Sequence, residues 1–204
     1  TTSSFINGEE GLNVKGLVVA MTFVMTRIED IRPGFNSVFI VRYLIEKAGN
    51  VDEALEMLND LPLASNANIL LADKSGKMVV VECSPFEKKI RNPINLENGS
   101  KVICTVNSFT SPYMKKYEWN GEDTYYSDER YNTVIEAIKS YRNENIIEYL
   151  QNLLKGKYGF MCQYEKGLNF ETIWSSIFDL NMLKIYRAEG DPRRKKFIED
   201  NRLK

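Results

Sequence analysis

Apolar positions along this chain fall into two rhythms. Leu17-Val18-Val19-Ala20-Met21-Thr22-Phe23-Val24-Met25 is nearly continuous and rich in β-branched residues, so it reads as a buried strand behind the turn-like Gly11-Leu12-Asn13-Val14-Lys15-Gly16. A polar loop with Arg32-Pro33-Gly34 follows. The period then lengthens: Val38, Val41, Leu44 and Ile45 recur at helical spacing over Asn36–Ala48, with Gly49 at the stop. Asp52 is placed to cap a second helix with Ala54, Leu55 and Leu58 on one face, ended by Pro62. The strand period returns in Ala67–Ala72 and Met78–Cys83, a hairpin around the turn residues Asp73-Lys74-Ser75-Gly76. Pro85 stops that hairpin, and Lys88–Arg91 and Lys101–Val106 read as further strands.

The rest of the chain returns to helices and then to strands. Ser127-Asp128-Glu129 starts a helix with Tyr131, Val134, Ile135 and Ile138 as its apolar stripe. Asn145–Leu154 is a second helix, with Ile146, Ile147, Leu150 and Leu154 expected inside. Gly156–Gln163 is a glycine- and aromatic-containing loop, and the Tyr158–Tyr164 aromatics fit core, pocket wall or interface equally. Thr172–Asp179 and Met182–Arg187 predict a second hairpin joined through Leu180-Asn181. Several strands follow two helices with no helix between them, which predicts antiparallel, layered sheets in an α+β fold rather than a doubly wound parallel one. One domain over residues 1–204 accommodates all of this.

Composition narrows the chemistry. The chain is 43% hydrophobic, enough for a sizeable core, and 27 Lys and Arg balance 28 Asp and Glu. That balance supplies no overall field for nucleic acid or an anionic membrane, so neither is expected as a partner. No apolar run is long enough to span a bilayer. Three widely separated cysteines, Cys83, Cys104 and Cys162, lack CxxC spacing, which argues against a zinc site or a disulfide framework and fits a reducing cytoplasm. Cys83 and Cys104, in predicted strands, read as buried small apolar residues rather than nucleophiles. The sequence holds no histidine, so a Ser-His-Asp triad, a Cys-His dyad and a histidine-ligated metal are excluded. It holds no phosphate-binding glycine motif either, and no cofactor is expected. The basic run Arg193-Arg194-Lys195-Lys196 reads as a solvated chain end in a chain of neutral total.

One residue invites chemistry. Asn107 ends the predicted strand Lys101–Val106, just before Ser111-Pro112 closes the segment. A carboxamide fixed at a strand end can donate to a developing oxyanion; it can equally be a turn asparagine bonded to its own backbone.

The ordered series GLNVKGLVVAMTFV, GFNSVFIVRYLIEKAGNVDEALEMLNDLPLASNANILLADKSGKMVVVECSP, TVNSFTSP, SDERY and TIWSSIFD resembles the penicillin acyltransferase-like and choloylglycine-hydrolase-like linear amide hydrolases of the N-terminal-nucleophile superfamily. The likeness covers nearly the whole chain. It implies a four-layer α-β-β-α fold with two stacked antiparallel sheets. It implies an N-terminal cysteine nucleophile whose own α-amino group serves as base, which suits a chain without histidine. Asn107 stands where the family has its oxyanion-hole asparagine, with Ser108 where relatives often carry histidine. Thr22 stands where the family supplies a second donor through its backbone N–H, the alternative being an ordinary strand residue. Arg130, in Ser127-Asp128-Glu129-Arg130-Tyr131, matches the arginine near the nucleophile; the alternative is a surface arginine on a first helical turn, a poor place for a cation without a specific partner.

The family's nucleophile lies well upstream of the GLN-x-KGL motif, and only a short polar stretch precedes Gly11 here. The expectation is therefore a C-terminal portion of such a domain, inactive alone; the motifs leave no room for Thr1 as an N-terminal-threonine nucleophile. The function expected of the full-length protein is hydrolysis or acyl transfer at a linear amide bond of a small acyl amide, in the cytoplasm, with a homo-oligomer open. The alternative is a non-catalytic ligand-binding or interaction protein on the same scaffold.

Overall fold

The computed structural model describes residues 8–165 and 170–201. The chain forms two compact units, Thr1–Ile94 with Ile103–Thr124 and Asn95–Val102 with Tyr125–Lys204.

The first unit is built on a five-stranded antiparallel sheet in sequence order: β1 (Glu10–Leu12), β2 (Leu17–Phe23), β3 (Ala67–Asp73), β4 (Met78–Cys83) and β5 (Lys88–Arg91). Side chains alternate across it. Leu17, Val19, Ile69, Leu71, Val79, Val81 and Cys83 pack with Ile40, Val41 and Leu44 of α1 (Ser37–Lys47) and Val51, Ala54 and Leu58 of α2 (Val51–Asp60). Each such Leu, Ile or Val contributes about 1.5–3 kcal/mol by leaving water. The predicted hairpin and the strand Lys88–Arg91 are found as expected, the first strand of the hairpin running on to Asp73.

Three local readings change. The opening GLNVKG is partly strand: Gly11 and Leu12 pair with Val19 and Val18, and the turn is Asn13–Gly16. There the Asn13 side chain accepts from the N–H groups of Lys15 (3.0 Å) and Leu17 (3.1 Å) and donates to the carbonyls of Ile45 and Ala48. The α2 cap is Asn50, which accepts from Glu53 N–H at 3.0 Å, and Asp52 sits in the first turn bonded to Lys77. The Lys101–Val106 strand keeps ladder pairing only at Lys101–Val102, for a reason given with the site below.

β6 (Ile94–Asn95) and β7 (Lys101–Val102) make a short ladder. The second unit then carries α3 (Ser127–Ser140), α4 (Ile146–Leu154), the two-residue strands β8 (Tyr164–Glu165) and β9 (Phe170–Glu171), and a three-stranded antiparallel sheet of β10 (Trp174–Asp179), β11 (Lys184–Glu189) and β12 (Ile198–Glu199). The α4 face differs in phase from the aliphatic stripe read above: Tyr149 and Leu153 are buried, while Ile146 is exposed. Tyr149 can be buried because its hydroxyl donates to Ala137 O at 2.6 Å and its ring meets Tyr141 and Tyr158. The second hairpin has a four-residue turn, 180–183, rather than Leu180-Asn181, because Asp179 accepts from the N–H groups of Asn181 and Met182 and Leu183 takes a positive φ of 52°. Arg193 and Arg194 pair with Asp191 and lie over the Tyr164 ring, so the basic run is internally bonded at its start.

Candidate active site

On the face of the first sheet opposite α1 and α2, the register sets Thr22, Asn68 and Glu82 side by side on β2, β3 and β4. Polar residues buried within apolar strands need partners. Here the partner is the segment 104–111, which crosses this face without ladder pairing. Thr22 Oγ1 donates to Val106 O at 2.6 Å and meets Thr105 Oγ1 at 3.1 Å. Asn68 Nδ2 lies 2.9 Å from Val106 O and 3.1 Å from Ser108 O. Glu82, wholly buried, accepts from Thr110 N–H (2.7 Å), Ser111 N–H (3.1 Å) and Arg91 Nε (2.8 Å), and Arg91 Nη2 donates to Cys104 O at 2.7 Å. Side chains of the sheet thus take over the peptide groups that a neighbouring strand would otherwise pair. That is why the strand ends at Val102.

A second set holds the same segment from its other end. Glu118 accepts from Phe109 N–H and from Ser108 Oγ (3.0 Å), and Lys115 Nζ donates to Ser108 Oγ at 2.6 Å. Phe109, 1% exposed, packs with Val24 and Met114 in a separate small core.

Asn107 lies inside this frame. Its Nδ2 donates to Phe23 O, the last residue of β2, at 2.8 Å. Thr22 and Asn107 are therefore brought together, across 85 positions of sequence (107 − 22). The side of β2 matters. Met21 N–H bonds Glu9 O on the β1 side, so by antiparallel alternation the Thr22 peptide faces β3, opposite Asn68, and the Phe23 peptide faces the β1 side again. The backbone group of β2 that shares Asn107's side is that of Phe23, and Thr22 meets the Asn107 segment through its hydroxyl. Arg130 belongs to the second unit, in the first turn of α3, where its Nε donates to Tyr125 O at 2.9 Å. Thr1 lies outside the described residues.

The cysteines fall out of the chemistry. All three are buried free thiols. Burial pushes the Cys83 thiol up to about 12 and the Cys162 thiol up to about 11, so neither is a thiolate near neutral pH. Among the described residues no group of three His, Cys, Asp or Glu could hold a metal ion, and no helix is long and apolar enough to cross a membrane.

Asn68, Glu82, Arg91 and Glu118 escaped the sequence reading. The available signal was a single polar residue inside each of the apolar runs Ala67–Asp73 and Met78–Cys83.

The described elements make a mixed α+β fold of antiparallel sheets and helices. The chain matches the family described as acyl-coenzyme A:6-aminopenicillanic acid acyl-transferase over residues 2–194 and belongs to that family. A variant of conjugated bile acid hydrolase from Clostridium perfringens is similar in structure at a TM-score of 0.52 and 14% identity, over 98% of this chain and 74% of that one. Penicillin V acylase from Agrobacterium tumefaciens is similar at a TM-score of 0.54 and 15% identity, over 90% of this chain and 63% of that one. No curated protein matches the chain by sequence.

Proposed function

We propose that this chain belongs to an enzyme that hydrolyses or transfers the acyl group of a small linear amide, with the Asn107 carboxamide receiving negative charge on the carbonyl oxygen. The observation that carries this is the placement of Asn107: a half-buried carboxamide at the end of β2, its backbone held on both sides by side chains from the sheet. As the family resemblance implies, the attacking group would be an N-terminal cysteine with its α-amino group as base, and the buried Cys83, Cys104 and Cys162 would take no part. The acyl-enzyme would pass its acyl group to water or to an amine. A second donor from the end of β2 would come from the Phe23 peptide rather than the Thr22 peptide, with the Thr22 hydroxyl holding the Asn107 segment. Arg130 would favour the thiolate, as its motif implies.

The test is a mass-spectrometric screen of acyl amides with the natively processed protein, followed by Asn107→Ala. Losing one oxyanion donor costs about 10²–10³-fold in turnover. We expect that loss with substrate binding little changed; unaltered turnover would refute the role. Ser108, which stands where relatives often carry histidine, favours a second reading, a non-catalytic ligand-binding protein on this scaffold. In that case amides bind, and neither product nor acyl-protein adduct forms.

A further inference from the structure

We infer that Asn68 is a positioning residue for Asn107, an inference that rests on the oxyanion reading above. Asn68 is wholly buried near the start of β3, and Leu70, two residues on, shows that an apolar side chain is accommodated on the same face. A buried amide is worth its desolvation only if its hydrogen bonds matter. Three acceptors surround its Nδ2: Val106 O at 2.9 Å, Ser108 O at 3.1 Å and Thr22 Oγ1 at 3.2 Å. An NH₂ group has two hydrogens, and the two shorter contacts use both. They fall on the carbonyls immediately before and after Asn107. One strand residue thus holds the peptide that enters Asn107, through Val106 O, and the peptide one residue beyond it, through Ser108 O, and the Asn107 side chain leaves for Phe23 O from between these two anchors. Thr22 shares the clamp on the Val106 side only, and Glu82 continues it at Thr110 and Ser111. No other side chain bonds both neighbours of Asn107 among the described contacts.

The chain supplies its own control. Asn66 is equally buried, at 1% exposed, and its Oδ1, like that of Asn68, is buried without a partner among the described residues. Its Nδ2, however, donates to Tyr117 O and Met25 O, away from both neighbours of Asn107.

Asn68→Ala and Asn66→Ala are compared in the natively processed protein, by turnover of the amide found in the screen, by thermal unfolding, and by the exchange rate of the Asn107 side-chain amide in ¹⁵N NMR. Misplacing a reacting group by an ångström costs about 10²-fold. Asn68→Ala should lower kcat by about that factor with KM unchanged, and should speed exchange of the Asn107 amide. Asn66→Ala should lower Tm with kcat and the Asn107 signals unchanged. If Asn68→Ala does not fold, the near-isosteric Thr22→Val, which removes the second donor to Val106 O, should show a smaller change in the same direction. The inference is overturned if the Asn107 amide keeps its exchange rate in Asn68→Ala (or, where that variant does not fold, in Thr22→Val), or if kcat falls no further there than in Asn66→Ala. Should Asn107→Ala itself keep full turnover, the oxyanion reading fails, and the NMR comparison still decides whether Asn68 positions Asn107.

Discussion

Each residue under the Asn107 segment is tied to a specific peptide group, and Glu82 is the most exacting of them. A carboxylate with no exposed surface has two N–H groups and the Arg91 guanidinium as partners, and the Arg91 side chain keeps only 15% of its surface exposed. Removing one member of such a pair strands the other charge in a dry site. Arg91→Leu should therefore cost about 3–5 kcal/mol, read as a fall in the urea midpoint. A change within the error of a surface substitution would mean that the pair is solvated. The cysteines make a complementary prediction. With the Cys83 thiol at about 12 and the Cys162 thiol at about 11, the folded protein should leave all three of Cys83, Cys104 and Cys162 unmodified by a thiol-disulfide reagent at pH 8, and should expose all three in denaturant. Labelling counted by intact mass reads the outcome directly.

Elements were legible in the sequence where one physical rule decided them. The β3–β4 hairpin was legible because Asp73-Lys74-Ser75-Gly76 offers a single kind of turn and the flanking runs share one period. The segment 103–106 was not, because β-branched content reports apolar burial and leaves open who takes the peptide hydrogen bonds. Asn68, Glu82 and Thr22 take them, and that is visible only once β2, β3 and β4 are in register. The α4 phase was missed for a related reason: Tyr149 counts as half-polar until its hydroxyl finds Ala137 O. Asp73 shows one residue joining two elements. It ends β3, accepts from Ser75 in the turn, and accepts from Val51 N–H at the start of α2 at 2.9 Å. Burial pushes its carboxyl up, but the bonds from the Ser75 hydroxyl and the N–H groups of Val51 and Ser75 outweigh it and hold the group below its ordinary value. A carboxyl lowered in the folded state contributes stability above the unfolded value of about 3.9, and that contribution is lost as pH falls through the lower folded value. The stability difference between the protein and Asp73→Asn should therefore be flat from pH 7 to pH 5 and shrink below about pH 4. A difference that grows on acidification would reverse the sign of the argument.

Across the whole molecule the decisive fact is what the sequence withholds. It contains no histidine, and its three cysteines are buried free thiols. These 204 residues therefore supply no imidazole to an acyl-transfer reaction. Under the proposed mechanism the base is the α-amino group of the nucleophile residue, a group that titrates at about 7.7–8.0 when unperturbed. The acid limb of kcat/KM reports the free enzyme's base, so turnover should rise with pH through that range instead of through the imidazole range near 6.5. Selective acylation of the N-terminal amine should abolish the limb together with the activity. The Asn107 amide does not titrate, so Asn107→Ala should lower the profile at every pH without moving its limb. A limb that shifts in Asn107→Ala would couple Asn107 to the base rather than to the oxyanion. Activity that survives N-terminal acylation would place the base on a side chain and overturn the α-amino assignment.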